Sequence, residues 1–588
     1  MKKNNNMKKS FIKIVNYIKD NLVLVIICLL LASFGAVLTI IGPNKIGDMV
    51  NYISEGLIGN INMSKIASIG MTLLVIYLLS FICIFIEQFF MAKITLKMSY
   101  KMRKDLSAKI NKLPQEYFNS HEQGDILSTI TNDVSTLQQG LTNSLPSIIC
   151  AITQFIGCLI MMFTTQWLLA LLSLLITFVG IIITIFIMKH SQKYFVIRQE
   201  SLGKLNGYVE EMYTGHDIIQ ISLAKDNVNN EFDKLNKKVY LANWKSQFLS
   251  GIMQPLMNII GNLAYVTICI VGSILAIKDV IKFGVIISFI LYIRLFTAPL
   301  TQIAQGMTNL QTSSAAATRI FDLLESKELE NESTLEKLDR NVQGNIEFSH
   351  VHFSYPDNKE KTIIKDFSAS IKSGEKVAIV GPTGAGKTTM VNLLMKFYDV
   401  DSGDILIDNK SIKNLSRENI HDLFGMVLQD TWLFEGTIRE NLVYNLKNVT
   451  DEQLEKVCLA CGLDKFIHSL PQGFDTIISE SSSISAGQKQ LLTIARAMLQ
   501  DAPMLILDEA TSSVDTRTEL LIQQAMDNLT KGRTSFVIAH RLSTIKNAAL
   551  ILVMKDGDVV EKGTHEQLMQ QQGFYYNLYN SQFDNATI

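Results

Sequence analysis

At 588 residues, with a mean hydropathy of +0.21 and a formal net charge of -1, the chain is too long for one ordinary core and too apolar to be wholly soluble. It has no basic excess for gripping a polyanion and no dense Lys/Arg stripe with interleaved aromatics, which sets nucleic-acid binding aside. Five of the seven cysteines lie in apolar runs as small hydrophobes; Cys458 and Cys461 form a CxxC, but without the second Cys or His pair that a zinc site needs, so neither a disulfide framework nor a metal or redox role is expected.

In chain order, Phe11, Ile12, Ile14, Val15 and Ile18 alternate with Lys13 and Lys19, a pattern suited to a short helix on a membrane surface. Six stretches then approach or exceed the roughly 20 apolar residues that cross a hydrocarbon core: about 22–42, 69–92, 144–163, 167–188, 252–277 and 284–303. The first follows Lys2, Lys3, Lys8 and Lys9 but outruns a signal-peptide core and is followed by five more spans, so it is retained as a helix. Lysine and arginine crowd the segments 1–20, 93–140 and 189–249, whereas the alternate connections are short and nearly neutral, which places both termini in the cytoplasm. The long polar segments between spans two and three, and four and five, read as helical extensions into the cytoplasm. Two charges fall at membrane depth. Glu87, late in the second span, either reaches headgroup water or lines a substrate path; Arg294, nearer mid-span in the sixth, has the same two readings, with the cavity favoured.

From Ile346 strand-like and helix-like segments alternate, the pattern of an α/β domain. Lys376-Val377-Ala378-Ile379-Val380 is a buried strand that runs into Gly381-Pro382-Thr383-Gly384-Ala385-Gly386-Lys387-Thr388-Thr389, a GxxxxGK[ST] loop opening a helix. Its glycines let successive backbone N–H groups turn toward one anion, the helix start adds its positive end, Lys387 supplies charge for the β- and γ-phosphates, and Thr388 is placed to ligate Mg²⁺. Further on, the apolar strand Met504-Leu505-Ile506-Leu507 delivers Asp508, suited to hold Mg²⁺ directly or through water, and Glu509, suited to polarise an attacking water.

Together with Tyr355, Gln429, Ile484-Ser485-Ala486-Gly487-Gln488, Ala510-Thr511-Ser512-Ser513-Val514-Asp515 and His540, these motifs stand in the order and spacing of an ATP-binding-cassette domain, which the chain resembles. The likeness extends into the membrane half: Leu113-Pro114 through Tyr117-Phe118, Gly124-Asp125, Thr131-Asn132-Asp133-Val134, Asn206 to Glu211 and Ala315 to Phe321 look like the intracellular segments of exporters of this family. The resemblance implies an all-α transmembrane six-helix bundle followed by an α/β P-loop nucleotide-binding domain, with limits at 1–325, a linker at 326–345 and the cassette domain at 346–588. It further implies that ATP and Mg²⁺ are the cofactors, with Gly381, Thr383, Gly384, Ala385, Gly386, Lys387, Thr388 and Thr389 around the phosphates and Tyr355 stacked on adenine. Thr388, Gln429 and Asp508 would hold the metal. Glu509, His540 and Gln429 would form the catalytic group, Gln429 at Mg²⁺ or the attacking water and His540 at the γ-phosphate. Ser485, Gly487 and Gln488 would offer an anion-binding helix start to ATP held by a second subunit, with Asp515 across the seam.

The signature carries Ile484 and Ala486 where the family most often has Leu and Gly, and 480–483 lacks a glycine common there. In heterodimeric exporters one subunit keeps the catalytic glutamate beside an altered signature, so the resemblance favours a heterodimer over a homodimer. The expected activity is ATP-driven export, by alternating access, of a hydrophobic or amphipathic substrate (drug, lipid or peptide) across the cytoplasmic membrane. An ATP-gated channel or regulatory subunit is the alternative, and an importer is disfavoured by the fused membrane half.

Overall fold

The computed structural model describes residues 12–57, 61–429, 431–479, 484–508, 515–538 and 545–583. Contacts divide it into two units. One takes the described residues up to Asn111 together with Gly124–Ser326, and the other takes Lys112–Gln123 and the described residues from Lys327 onward.

Among the described residues of the first unit six helices are long and apolar enough to cross a membrane. They are α1 (Leu22–Gly56), α2 (Met63–Ile110), α3 (Leu145–Thr165), α4 (Trp167–Thr214), α5 (Met253–Ile277) and α6 (Phe283–Glu325). At 1.5 Å per residue the 48 residues of α2 and of α4 reach about 70 Å, more than twice a hydrocarbon core of about 30 Å, so the polar extensions are continuous with the spans. Phe81, Phe85 and Phe89, one face of α2 at a spacing of four, are exposed, as a lipid-facing stripe must be. Cys158, Met162, Leu169, Ala264, Ile268, Phe289, Tyr292 and Phe296 form the core where α3, α4, α5 and α6 meet.

The contact of α1 with α6 is a close weld. Pro43 removes one rung of the α1 hydrogen-bond ladder, and beside it Ser288 Oγ donates to the Pro43 carbonyl (2.9 Å) and Tyr292 OH to that of Ile40 (3.2 Å), two bonds that tie α6 to α1. Asn51 Oδ1 accepts from the Gly284 amide (2.7 Å), and a Cβ on Gly47 would lie 2.1 Å from Ser288 Oγ. The run before α3 contains two π-turns, Thr129–Asp133 and Gly140–Ser144, and both face α6. Asp133 is buried and takes a bidentate bond from Arg319 (Nε to Oδ2, 2.7 Å), and Gly140 packs against Ser313, whose Oγ donates to the Thr136 carbonyl at 3.1 Å.

Residues 12–18 form the amphipathic helix read from the sequence, but its buried face of Ile14 and Ile18 is covered by protein. Tyr17 OH donates to Asp105 (3.0 Å) and Lys13 pairs with Glu325 (2.6 Å). Glu87 is 4% exposed and its Oε1 meets no hydrogen-bond partner among the described residues, so its side chain does not reach headgroup water.

The described residues of the second unit form two larger sheets with helices, besides a short antiparallel pair of Gly436–Thr437 with Ile477–Ile478. Strands β1 (Ile346–Ser354), β2 (Thr362–Ile371), β4 (Ser402–Ile407) and β5 (Lys410–Ser411) pair antiparallel in the order β2-β1-β4-β5. The second sheet contains β3 (Lys376–Val380), β6 (Phe424–Val427), β7 (Met504–Asp508), β8 (Thr534–Ile538), β9 (Leu550–Lys555) and β10 (Asp558–Gly563), in the order β10-β9-β3-β8-β7-β6. All its pairings are parallel except β9 with β10. Its central strands are buried on both faces, hence their unbroken apolar runs. Val377, Ile379, Met504, Ile506, Phe536 and Ile538 point to the core shared with the antiparallel sheet and α7 (Lys387–Leu394). Leu505, Leu507 and Val537 point to the opposite core under α8 (Ala486–Gln500) and α9 (Thr516–Thr530).

Residues 327–345 are bonded along their length to this unit. The Leu329 amide donates to the Lys112 carbonyl (2.8 Å), and Glu332 meets Lys396 Nζ (3.0 Å), the Arg417 amide (2.6 Å) and the Arg417 guanidinium. The Glu336 amide donates to Asn414, Leu338 exchanges two bonds with Asn419, and Arg340 grips Asp422. Finally Asp408 accepts from the amides of Gln343, Gly344 and Asn345.

Candidate functional site

The C-terminal edge of a parallel sheet, where strands end and helices begin, is where open α/β folds bind ligands. Here that edge carries the glycine-rich loop after β3, Asp508 at the end of β7 and Gln429 two residues beyond β6. The register makes the convergence definite: Ile538 pairs with Asp508 and Ile379, and Val427 with Leu507, so Gln429 leaves the sheet beside Asp508.

The loop after β3 is shaped by its glycines. A Cβ on Gly381 would lie 2.3 Å from the Met554 carbonyl oxygen, closer than any side chain tolerates. Gly386 has φ +98° as the residue before α7, a left-handed turn that exposes the first amides of that helix to the loop. Lys387 Nζ donates to the carbonyls of Gly381 (2.7 Å) and Pro382 (3.0 Å), so its ammonium lies over the loop. Burial lowers its pKa, and the negative charge of Asp508 acts in the opposite direction. Thr383, Gly384 and Thr388 are exposed, while Ala385 and Thr389 are buried. An exposed hydroxyl at Thr388, a carboxylate at Asp508 and a side-chain amide at Gln429 are oxygen donors, the set that Mg²⁺ takes.

Tyr355 reaches the same loop from the antiparallel sheet: its OH shares a hydrogen bond with Thr389 Oγ1 (3.1 Å), and its ring meets Phe353 and Tyr398 edge-on, with centroids 5.0 and 5.2 Å apart. Tyr398 in turn accepts a 2.6 Å bond from Asn119 Nδ2. Segment Lys112–Gln123 is thus tied through Asn119, Tyr398, Tyr355 and Thr389 to the first turn of α7, a connection that sequence reasoning missed.

Ser485 caps α8 in a reciprocal capping box, accepting from the Gln488 amide (3.2 Å) while Gln488 Oε1 accepts from the Ser485 amide (3.0 Å). The Ser-x-x-Gln spacing carries that signal. Gly487 is buried in the first turn, where helix amides lack intrahelical partners. Asp515 caps α9, accepting from the amides of Arg517 (3.1 Å) and Thr518 (3.0 Å), and the bonds from Thr518 hold its carboxyl below the usual range. Glu509 and His540 lie outside the described residues; they follow β7 and β8 in the chain. Cys458 and Cys461 are buried in the core beneath α8, where burial pushes both thiols up to about 12.

Comparison with known proteins agrees with this architecture. Residues 23–300 match the family described as ABC transporter transmembrane region, and residues 364–512 the one described as ABC transporter. The chain is 44% identical over 483 residues to a fatty acid ABC transporter ATP-binding/permease protein of Mycobacterium bovis, covering 82% of this chain and 76% of that one. It is 36% identical over 574 residues to the uncharacterized ABC transporter ATP-binding protein YfiC of Bacillus subtilis, covering 97% and 94%. To the probable multidrug resistance ABC transporter ATP-binding/permease protein YheH of the same species it is 35% identical over 488 residues, covering 82% and 72%.

Proposed function

Because the chain belongs to the ABC transporter family, a multi-pass membrane protein that couples ATP hydrolysis to transport, we propose that it exports a hydrophobic or amphipathic substrate across the cytoplasmic membrane as one half of a dimer. The observation that carries this reading is the meeting of Lys387 and Asp508 at one sheet edge, in the same chain as six membrane-length helices. The names of the relatives, fatty acid in one case and multidrug resistance in another, fall within that substrate class.

In this reading the nucleotide unit and both termini are cytoplasmic, the membrane part takes 1–325, the linker 326–345 and the cassette domain 346–588. ATP lies with its phosphates along Gly381, Thr383, Gly384, Ala385, Gly386, Lys387, Thr388 and Thr389 and its adenine at Tyr355. Magnesium would be held by Thr388, Asp508 and Gln429 and would supply positive charge against that of the phosphates. Glu509 orients the attacking water and His540 contacts the γ-phosphate, which suits phosphoryl transfer, a reaction governed by alignment and charge compensation. Ser485, Gly487 and Gln488 meet the ATP of the second subunit, and Asp515 faces the seam. Ala486 in that signature favours a heterodimer, this chain contributing the catalytic glutamate.

The test is transport and ATP turnover in lipid vesicles with Glu509→Gln. An ATP-driven pump loses both; retention of substrate flux with turnover abolished would identify a nucleotide-gated channel instead. Full substrate-stimulated turnover from the chain purified alone would exclude the obligate heterodimer.

A further inference from the structure

Helices α5 and α6 line an open cavity of about 750 Å³ within the first unit. Its polar lining is ordered. Asn258, Asn262 and Tyr265 recur on α5 at i, i+4 and i+7, and Arg294, Thr297 and Thr301 on α6 at i, i+3 and i+7, so each helix presents one polar stripe to the same space. By helical rise, Arg294 lies about 16 Å from the start of α6 and Tyr265 about 18 Å from the end of α5, both near the middle of a core of about 30 Å. The rest of the lining is apolar, Ile290, Leu291 and Met257 among it.

A cation at that depth is costly and ordinarily has a counter-charge. Among the described residues no carboxylate pairs with the Arg294 guanidinium, although Asp133–Arg319 in the same unit shows how this bundle pairs an arginine when it is structural. Arg294 is exposed to the cavity. Its planar fork matches a carboxylate or phosphate, and the amides of Asn258 and Asn262 with the hydroxyls of Tyr265, Thr297 and Thr301 offer further donors to oxygens of the same head. We infer that this cavity recognises the anionic head group of an amphiphile, a carboxylate or phosphate monoester, while the apolar lining takes its chain.

This rests on the transport reading above and narrows its substrate class. The test uses the full-length transporter in lipid nanodiscs containing oleate, oleyl phosphate or oleyl alcohol, which share a chain and differ in the head. The readout is the mole fraction giving half-maximal stimulation of ATP turnover, expressed as the ratio of alcohol to anion. A ratio on the order of tenfold or more is expected for at least one anion, as hydrogen bonds to a charged group imply, and the larger of the two ratios identifies carboxylate or phosphate. The ratio should fall to near one in Arg294→Ala and part of the way in Arg294→Lys. Asn262→Leu should lower it less, and these two variants decide the matter if the alanine variant does not fold. A wild-type ratio near one, or a ratio that survives loss of Arg294, overturns the inference and leaves the transport reading standing; absence of any ATP turnover in the wild type assembled with its second half-transporter removes that reading itself.

Discussion

Replacing Glu332 with alanine tests whether residues 327–345 belong energetically to the nucleotide unit. Glu332 faces two cations that water barely reaches, Lys396 with its side chain 5% exposed and Arg417 with 17%. After truncation, among the described residues Lys396 retains the Leu415 carbonyl (2.7 Å), and Arg417 retains the Lys396 carbonyl and a longer 3.3 Å contact with Asp399. Two poorly solvated positive charges then face one another. Removing one partner of a buried pair costs about 3–5 kcal/mol, and the residual solvent contact of Arg417 points to the lower end, about 3 kcal/mol. For a unit of this size that lowers the unfolding midpoint by roughly 6–12 °C. Glu332→Gln, which keeps an acceptor for the Arg417 amide, should recover part of the loss. Glu336, whose pair with Lys410 is solvent-exposed, is the control and should change little on replacement. The assay is thermal unfolding of the full chain in nanodiscs, followed by a signal from the nucleotide unit. The pH dependence has a definite sign. Burial alone raises the Glu332 pKa, but the Arg417 amide and the Lys396 ammonium outweigh it and hold it below 4.5. The stabilisation is therefore complete above pH 4.5 and is lost as pH falls through the lower folded-state value. A midpoint for Glu332→Ala within 2 °C of wild type would refute the reasoning.

The remaining expectations concern the nucleotide unit. Lys387→Ala should weaken ATP binding on the order of tenfold or more, measured by nucleotide titration, and unchanged affinity would separate Lys387 from the phosphates. Gly381→Ala places a methyl against the Met554 carbonyl and should cost about 1–3 kcal/mol in thermal unfolding together with nucleotide affinity; a wild-type profile would mean that the β3 loop and β9 are not in contact. Tyr398→Phe removes the acceptor of Asn119, a loss of about 0.5–1.5 kcal/mol, and should reduce the ratio of substrate-stimulated to basal turnover about two- to tenfold; an unaltered ratio would leave the tyrosine path without a role. In a chain retaining only Cys458 and Cys461, maleimide labelling at pH 8 should be slow, since a thiol near 12 is ionised only on the order of 10⁻⁴ there; labelling at the rate of a free thiol would contradict their burial.

The parts of this fold that sequence reveals are those set by local chemistry. Run length alone locates six spans, glycine spacing locates the turn before α7, and an unbroken apolar strand announces Asp508 at its end. What stayed hidden depends on residues far apart in the chain. Residues 326–345 read as a linker because their charges carry no periodicity, yet Glu332 finds Arg417 across 85 positions and Asn119 finds Tyr398 across 279. The alternation in residues 12–18 correctly marks a buried face, but periodicity says that a face is covered and not by what; here α2 and α6 supply Tyr17 and Lys13 with partners. Glu87 shows the same limit, since depth in a span does not reveal which way a side chain turns. Ser485 and Gln488 were read at a helix start, and their spacing is that of the capping box found there.

The two π-turns ahead of α3 alter how that stretch must be counted. Each absorbs about one residue beyond the α-helical repeat, and one residue is about 100° of rotation, so a helical wheel drawn straight through 123–165 assigns wrong faces on one side of each turn. Deleting a single residue from the α-helical Val134–Gln139, between the two turns, would swing everything before it by that angle and carry Asp133 away from Arg319. Length changes in this stretch are therefore far less tolerable than substitutions.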